Sequence, residues 1–125
     1  MRKIPSPFVN PETQAFWDAA RQHRLMVPFC EDCGRTHWYP RAICPHCMSS
    51  KVELKPNAGT GRVYSFSIVP GADGYAMAYV QLDDGPTLLT NVIGEGHATL
   101  KIGQAVRVQF TPSEDGTPVP MFVVG

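Results

Sequence analysis

A mainly β chain, with one helix in front and a small five-stranded barrel behind, is what the sequence predicts. Three observations predict it. A run with helical end signals, "NPETQAFWDAARQHRLM", lies near the start. All four cysteines then fall in "FCEDCGRTHWYPRAICPHCM" as two C-x-x-C pairs, Cys30 with Cys33 and Cys44 with Cys47. After them come five short strand-like runs separated by turns rich in glycine and proline. The 125 residues suit one ordinary domain or two very small units. The apolar share of 43% is enough for a core, though not a large one.

The helix is justified by its ends. Asn10 suits the cap, Pro11 the first helical position and Glu12 the positive end of the dipole. Phe16, Trp17 and Ala20 fall on one side, at i, i+1 and i+4. That face has two readings. It packs on its own domain, or Phe16 and Trp17 form a docking surface for a partner, since a short helix ahead of a small domain has little core to cover.

The strands follow from alternation. "KVELKPNAGTGRVYSFSIV" reads as one long strand, bent or bulged where Pro56, Gly59 and Gly61 punctuate it. Tyr64, Phe66 and Ile68 alternate with Ser65 and Ser67, which predicts one buried face. "YAMAYVQL" and "TLLTNVI" are the second and third strands, joined by the turn "DDGP". "AVRVQF" is the fourth, with Val106, Val108 and Phe110 facing in and Arg107 and Gln109 facing out. "VPMFVV" is the fifth. A long first strand kinked by glycine is what a five-stranded OB-type barrel needs to turn its corner. An SH3-like barrel or an open sandwich gives a similar pattern. The expected division is residues 1–27 as a helical segment, 28–52 as a zinc ribbon and 53–125 as an OB-fold domain.

The cysteines admit three chemistries. Two disulfides suit an oxidising compartment. A thioredoxin-like redox role needs one pair at a strand-to-helix junction, and neither pair sits in such surroundings. A metal site needs two tight turns that each aim two thiolates at one ion, and the double C-x-x-C supplies both. Gly34 lends the first turn a permissive backbone and Pro45 stiffens the second. Four thiolates leave no open position for water, so the expected ion is structural. Zinc is expected, and iron uses the same ligands. Arg35 and Arg41 lie near enough in sequence to offset the negative charge, while His37 and His46 are read as ordinary surface or hydrogen-bonding histidines.

Charge and composition narrow the function. Residues 1–62 hold nine Lys/Arg against five Asp/Glu, a balance of +4, and residues 63–125 hold two against six, a balance of −4. A ribbon joined to a barrel suggests single-stranded nucleic acid, with Tyr64 and Phe66 as stacking rings, but an acidic barrel opposes that reading. No apolar run is long enough for a membrane span, and no apolar stretch follows Arg2 and Lys3, so a cytoplasmic location is expected. His23 and His97 stand apart from any nucleophile pattern, Asp83 and Asp84 sit in a turn, and "GTGR" and "GEGH" are too short for phosphate loops. A binding module rather than a self-sufficient enzyme is expected.

The order "TQAFWDAA", "LMVPFCEDCGRTHWYPRAICPHC", "GTGRVYSFSIV", "VQLDDGPTLLTNVIG" and "LKIGQAVRVQF" resembles the acyl-CoA-associated zinc-ribbon and OB-fold proteins long known as domain of unknown function thirty-five. The resemblance runs from about residue 11 to 124, and Met48 departs from it where a small residue often follows the second pair. It implies a non-catalytic accessory subunit of a thiolase-like enzyme: a thiolase, an aldolase or an acyltransferase. It implies that chain and large subunit hold the coenzyme A part of an acyl-CoA together. Arginine forks suit phosphate, and Arg41 and Arg62 are the candidates for that contact, near the junction of ribbon and barrel.

Overall fold

The computed structural model describes residues 3–71 and 74–125; Arg2, part of the N-terminal reading, lies outside them. Its elements run α1 (Gln14–Ala20), β1 (Leu25–Cys30), β2 (Val52–Asn57), β3 (Thr60–Val69), β4 (Tyr75–Leu82), β5 (Thr87–Val92), a 3₁₀ turn (His97–Thr99), β6 (Ala105–Pro112) and β7 (Pro118–Val124). Strands β3 to β7 close a five-stranded barrel in the order β3-β4-β5-β7-β6, and β1 pairs with β2 in a separate two-stranded sheet. This is the mainly β, OB-type architecture expected.

The first expected strand is two strands. Its early half, β2, pairs antiparallel with β1, Cys30 opposite Val52 and Leu25 opposite Asn57. Its later half, β3, opens the barrel and touches both β4 and β6. Gly59 makes the break. Its φ is +75°, and a Cβ there would lie 2.3 Å from Val108 Cγ1, so only glycine fits. A bulge between Val63 and Ser65 then turns the corner. It takes Tyr64, 65% exposed, out of the expected inner face, while Phe66 and Ile68 keep it opposite the buried Ala78 and Ala76, as Gly61 and Val63 do opposite Leu82 and Val80.

Helix α1 is shorter than its pattern. It ends at Ala20, and His23 takes a left-handed conformation (φ 57°) that stacks its ring on Phe110, centroids 5.5 Å apart. The chain then enters β1, so Leu25 and Met26 are strand. Asn10 works as a cap one turn early: Thr13 N–H donates to Asn10 Oδ1 and Asn10 N–H donates to Thr13 Oγ1, both at 3.1 Å. The helix packs on β1 and β7.

One apolar cluster joins the parts. Phe16, Trp17, Ala20, Leu25 and Val27 share it with Val63, Val80, Leu82, Leu88, Val92, Val106 and Phe122 of the barrel. Phe16 is 1% exposed and Trp17 5%. Phe16 meets Trp17 edge-on at 4.9 Å and Trp38 of the ribbon at 5.3 Å. The expectation that these two rings form a docking face is therefore corrected. The chain's own core takes them up, because β1 and β7 leave an apolar seam that the helix covers. In β6, Val106 is buried, Val108 and Phe110 are half-buried, and Arg107 and Gln109 face out.

Candidate metal centre

Two loops of the same build bring the thiols together. In the first, Gly34 N–H donates to the Cys30 carbonyl at 2.9 Å and Cys30 N–H donates to the Arg35 carbonyl at 2.9 Å. In the second, Met48 N–H donates to the Cys44 carbonyl and Cys44 N–H to the Ser49 carbonyl, both at 2.9 Å. Gly34 (φ 73°) and Met48 (φ 65°) hold corresponding left-handed positions. Met48 thus strains a site that glycine fills in the first loop, and its side chain is 74% exposed. Cys30 ends β1 and Val52 opposite it begins β2, so the β1–β2 pairing fixes where the first loop starts and the second returns. Ser49 Oγ donates to Asp32 Oδ2 between the loops, and Lys51 lies 3.7 Å from the same carboxylate.

The four sulfurs lie within 4.8 Å of one another. Cys30 Sγ is 3.6 Å from Cys47 Sγ, and Cys33 Sγ is 3.7 Å from Cys44 Sγ. All four are free thiols, so neither disulfide of the alternative reading is present. A tetrahedral ion bound at about 2.3 Å from sulfur would give sulfur–sulfur edges of about 3.8 Å, and the two short pairs match. The electrostatics also suit a cation. The Cys33 N–H, with burial opposing it, draws Cys30 down to about 7. Cys47 is pushed up to about 12: the Ser49 N–H favours its thiolate, but burial and the three neighbouring sulfurs outweigh that. Four thiolates crowd one another in this space, and a bound dication relieves the crowding. The donor set therefore fits a structural metal ion held by Cys30, Cys33, Cys44 and Cys47.

The histidines do not join this cluster. His46 sits with a ring nitrogen 3.2 Å from the Thr36 carbonyl. His37 is buried, contrary to a surface reading, and among the described residues neither ring nitrogen finds a partner. Burial, then the nearby Arg41 and His46, holds its pKa down, so it is neutral. His97 lies 2.8 Å from the Gly94 carbonyl. Among the described residues, no histidine pairs with a carboxylate or a hydroxyl.

The arginines fall in different places. Arg41 lines a cavity with Glu12, Tyr39, Ile43 and Met48. It sits beside Ala42, whose N–H donates to Glu12 Oε2 at 2.6 Å and straps the ribbon to the start of the helix. Arg62 projects from β3, its Nη1 donating to the Gly103 carbonyl at 3.0 Å. Neither lines the cavity of about 620 Å³ between the ribbon and the β4–β5 turn. That cavity carries Arg35, Lys55 and His46 with Phe29, and Lys55 Nζ stands 4.1 Å over the Phe29 ring. Lys55 escaped the sequence reading because its side is set by pairing opposite Val27 in β1, a strand whose run "LMVPFC" shows no alternation.

A metal ribbon whose short sheet is fused through a shared core to an OB barrel defines the class: a zinc-ribbon and OB-fold protein. Family profiles match both halves, the ChsH2 rubredoxin-like zinc ribbon domain over residues 17–53 and the ChsH2 C-terminal OB-fold domain over residues 55–111. A solved chain described as "Ltp2-ChsH2(DUF35) aldolase" is similar with a TM-score of 0.81 at 30% identity, covering 95% of this chain and 98% of that one. The chain belongs to the DUF35 family. It is 31% identical over 124 residues to a probable enoyl-CoA hydratase alpha subunit of Thermomonospora curvata, covering 94% of this chain and 39% of that relative's length. It is 30% identical over 98 residues to the benzoylsuccinyl-CoA thiolase subunit BbsA of Geobacter metallireducens, covering 72% of this chain and 66% of that one. No helix among the described residues is long and apolar enough to cross a membrane.

Proposed function

We propose that the chain is a non-catalytic accessory subunit that docks on a thiolase-like enzyme and helps hold the coenzyme A part of an acyl-CoA. The observation that carries this reading is the likeness over 98% of the DUF35 chain of an aldolase. Two features of the chain support it. Its four thiols suit a structural ion, and among the described residues its histidines stand apart from carboxylates and hydroxyls. Zinc is the proposed ion, since four thiolates in a tetrahedron suit it and leave no position for water. Arg35 and Lys55, lining one cavity with the half-buried Phe29, add to Arg41 and Arg62 as groups suited to phosphate. The single-stranded nucleic-acid reading finds no comparable support, because β4 and β5 carry no Lys or Arg at all.

The test is co-expression with a candidate thiolase-fold subunit from the same genome, followed by size exclusion, metal analysis and an acyl-CoA assay with and without the chain. Expected are co-elution, about one zinc per chain and activity that needs both polypeptides. Full activity of the large subunit alone, with no co-elution, defeats the proposal.

A further inference from the structure

The barrel wall formed by β3, β4 and β5 carries an apolar centre on its outer side, flanked there by serine, threonine and asparagine. In β4 the small residues Ala76 and Ala78 point inward, 0% and 1% exposed, while Met77 and Tyr79 point outward at 44% and 48%. A half-buried strand ordinarily places its larger apolar side chains in the core. In the first half of β4 the order is reversed, although Val80 and Leu82 further on point inward, and pairing gathers the outer ones. Tyr79 stands between Ser65 and Leu89, and Met77 between Ser67 and Asn91. Leu89 is 53% exposed. Strands β4 and β5 contain no charged residue, and β3 contains none beyond Arg62. The face continues past Leu89 and Asn91 into a groove of about 270 Å³ shared with Trp38, Tyr39 and Pro120.

An antiparallel sheet with one side in water ordinarily carries polar residues on that side. Interface cores have the composition seen here, with charge depleted and tyrosine and methionine enriched. The place is also the wall, strands 2 and 3 of an OB barrel, on which that fold most often seats ligands. A nucleic acid is the wrong ligand for it, since the face offers a phosphate chain no cation but Arg62, at one end and held to the Gly103 carbonyl.

The ends of the face identify the occupant. Asp83 and Asp84 are exposed in the turn between β4 and β5, and Glu95 is exposed just beyond the other end of β5. A second copy laid on this face by a two-fold axis would set acid against acid at both ends. We propose that the outer face of β3–β5, centred on Met77, Tyr79 and Leu89, is where the chain docks on its large partner, which meets it with an apolar patch edged by lysine and arginine. This rests on the accessory-subunit reading and adds to it the surface and its chemistry.

The test compares wild type with Tyr79→Glu, Leu89→Glu and Ile102→Glu, each co-expressed with the candidate thiolase-fold subunit of the preceding test. Ile102 is 73% exposed and lies outside the three strands, so Ile102→Glu is the control for an added charge. Metal content and thermal midpoint show that each variant is folded. Wild type and Ile102→Glu should co-elute with the partner, and the other two should bind at least about 30-fold more weakly. The pair Asp83→Lys, Asp84→Lys should slow association at low salt, with the difference fading as salt rises. Undiminished binding by both Tyr79→Glu and Leu89→Glu, with wild type bound, defeats the surface and leaves the accessory reading intact. A wild-type chain that fails to bind defeats the accessory reading and this surface together. A wild-type homodimer that Tyr79→Glu dissolves would show that a second copy is the occupant, which also overturns the proposal.

Discussion

The ribbon and the barrel are held by different physics. Between β1 and β2 the buried residues are His37, Pro40 and Cys44, and none is a large aliphatic side chain. The barrel buries Val63, Val80, Leu82, Leu88, Val92, Leu100, Val106 and Phe122. Each such side chain contributes roughly 1.5–3 kcal/mol when removed from water. Trp38 leans on Phe16 and Ala42 on Glu12, but the ribbon loops have no comparable core, so most of their order has to come from the four thiols and what they bind. The contrast teaches that one chain can carry two stability mechanisms at once, coupled through the helix that leans on both.

The largest expected effect breaks the ribbon alone. Cys30→Ser, or a strong chelator applied to the wild type, removes a ligand set whose binding supplies about 10–16 kcal/mol of apparent folding energy in small zinc domains. Metal content should fall from about one equivalent to nearly none, and the loops should become open to proteolysis while the strand signature of the barrel persists in circular dichroism. A Cys30→Ser chain that keeps its metal and its protease resistance would show that the ribbon stands without the site.

A smaller effect strikes the barrel alone. Phe122 is fully buried and lies opposite Val108 and beside Val92, where β6, β7 and β5 meet. Phe122→Ala should lower stability by about 3–5 kcal/mol through lost burial and a cavity. Chemical denaturation measures the loss, and metal stoichiometry should not move. Loss of metal in this variant would mean that the two regions unfold as one unit.

Much of this contrast was legible in the sequence. The metal site was readable because C-x-x-C fixes thiol geometry locally. Strands β4 to β7 were readable because turns such as Asp83–Pro86 and Glu114–Thr117 bound them clearly. What failed depended on pairing at a distance. β1 was hidden in a continuous apolar run containing Pro28, and its partner β2 lies beyond the whole ribbon. The bulge after Val63 makes Tyr64 the extra residue and turns it out, while Phe66 and Ile68 keep the expected inner side opposite Ala78 and Ala76, so one residue of the apparent alternation failed and two held. Phe16 and Trp17 left two readings open because a helix face does not say whether its own chain or another will cover it. The outward Met77 and Tyr79 were invisible for a similar reason: both faces of β4 are apolar, and only barrel closure decides which one is inside.

The smallest expected effect tests the joint between the regions. Gly59 follows the last residues of β2 and precedes β3, and three hydrogen bonds pin the turn. Its N–H donates to Asn57 Oδ1 at 2.8 Å, its carbonyl accepts from Val108 N–H at 2.7 Å, and Asn57 Nδ2 donates to the Asp84 carbonyl at 2.7 Å. Gly59→Ala forces a side chain into a left-handed backbone and drives its Cβ to within 2.3 Å of Val108 Cγ1. Val108 is β-branched and stiff, so it does not swing away. Strain of this kind costs about 1–3 kcal/mol. Gly34→Ala separates the two causes, because Gly34 has nearly the same φ, +73°, with nothing within 4 Å of the added atom. Gly34→Ala should therefore show the backbone strain alone, and Gly59→Ala the strain plus the clash. Trimming the valine in the double variant Gly59→Ala, Val108→Ala removes the clash, so the two changes should cost less together than the sum of their separate effects. Equal losses in the two single variants, or strict additivity in the double one, would mean that the contact with Val108 does not hold ribbon to barrel and that the shared core of the helix couples them unaided.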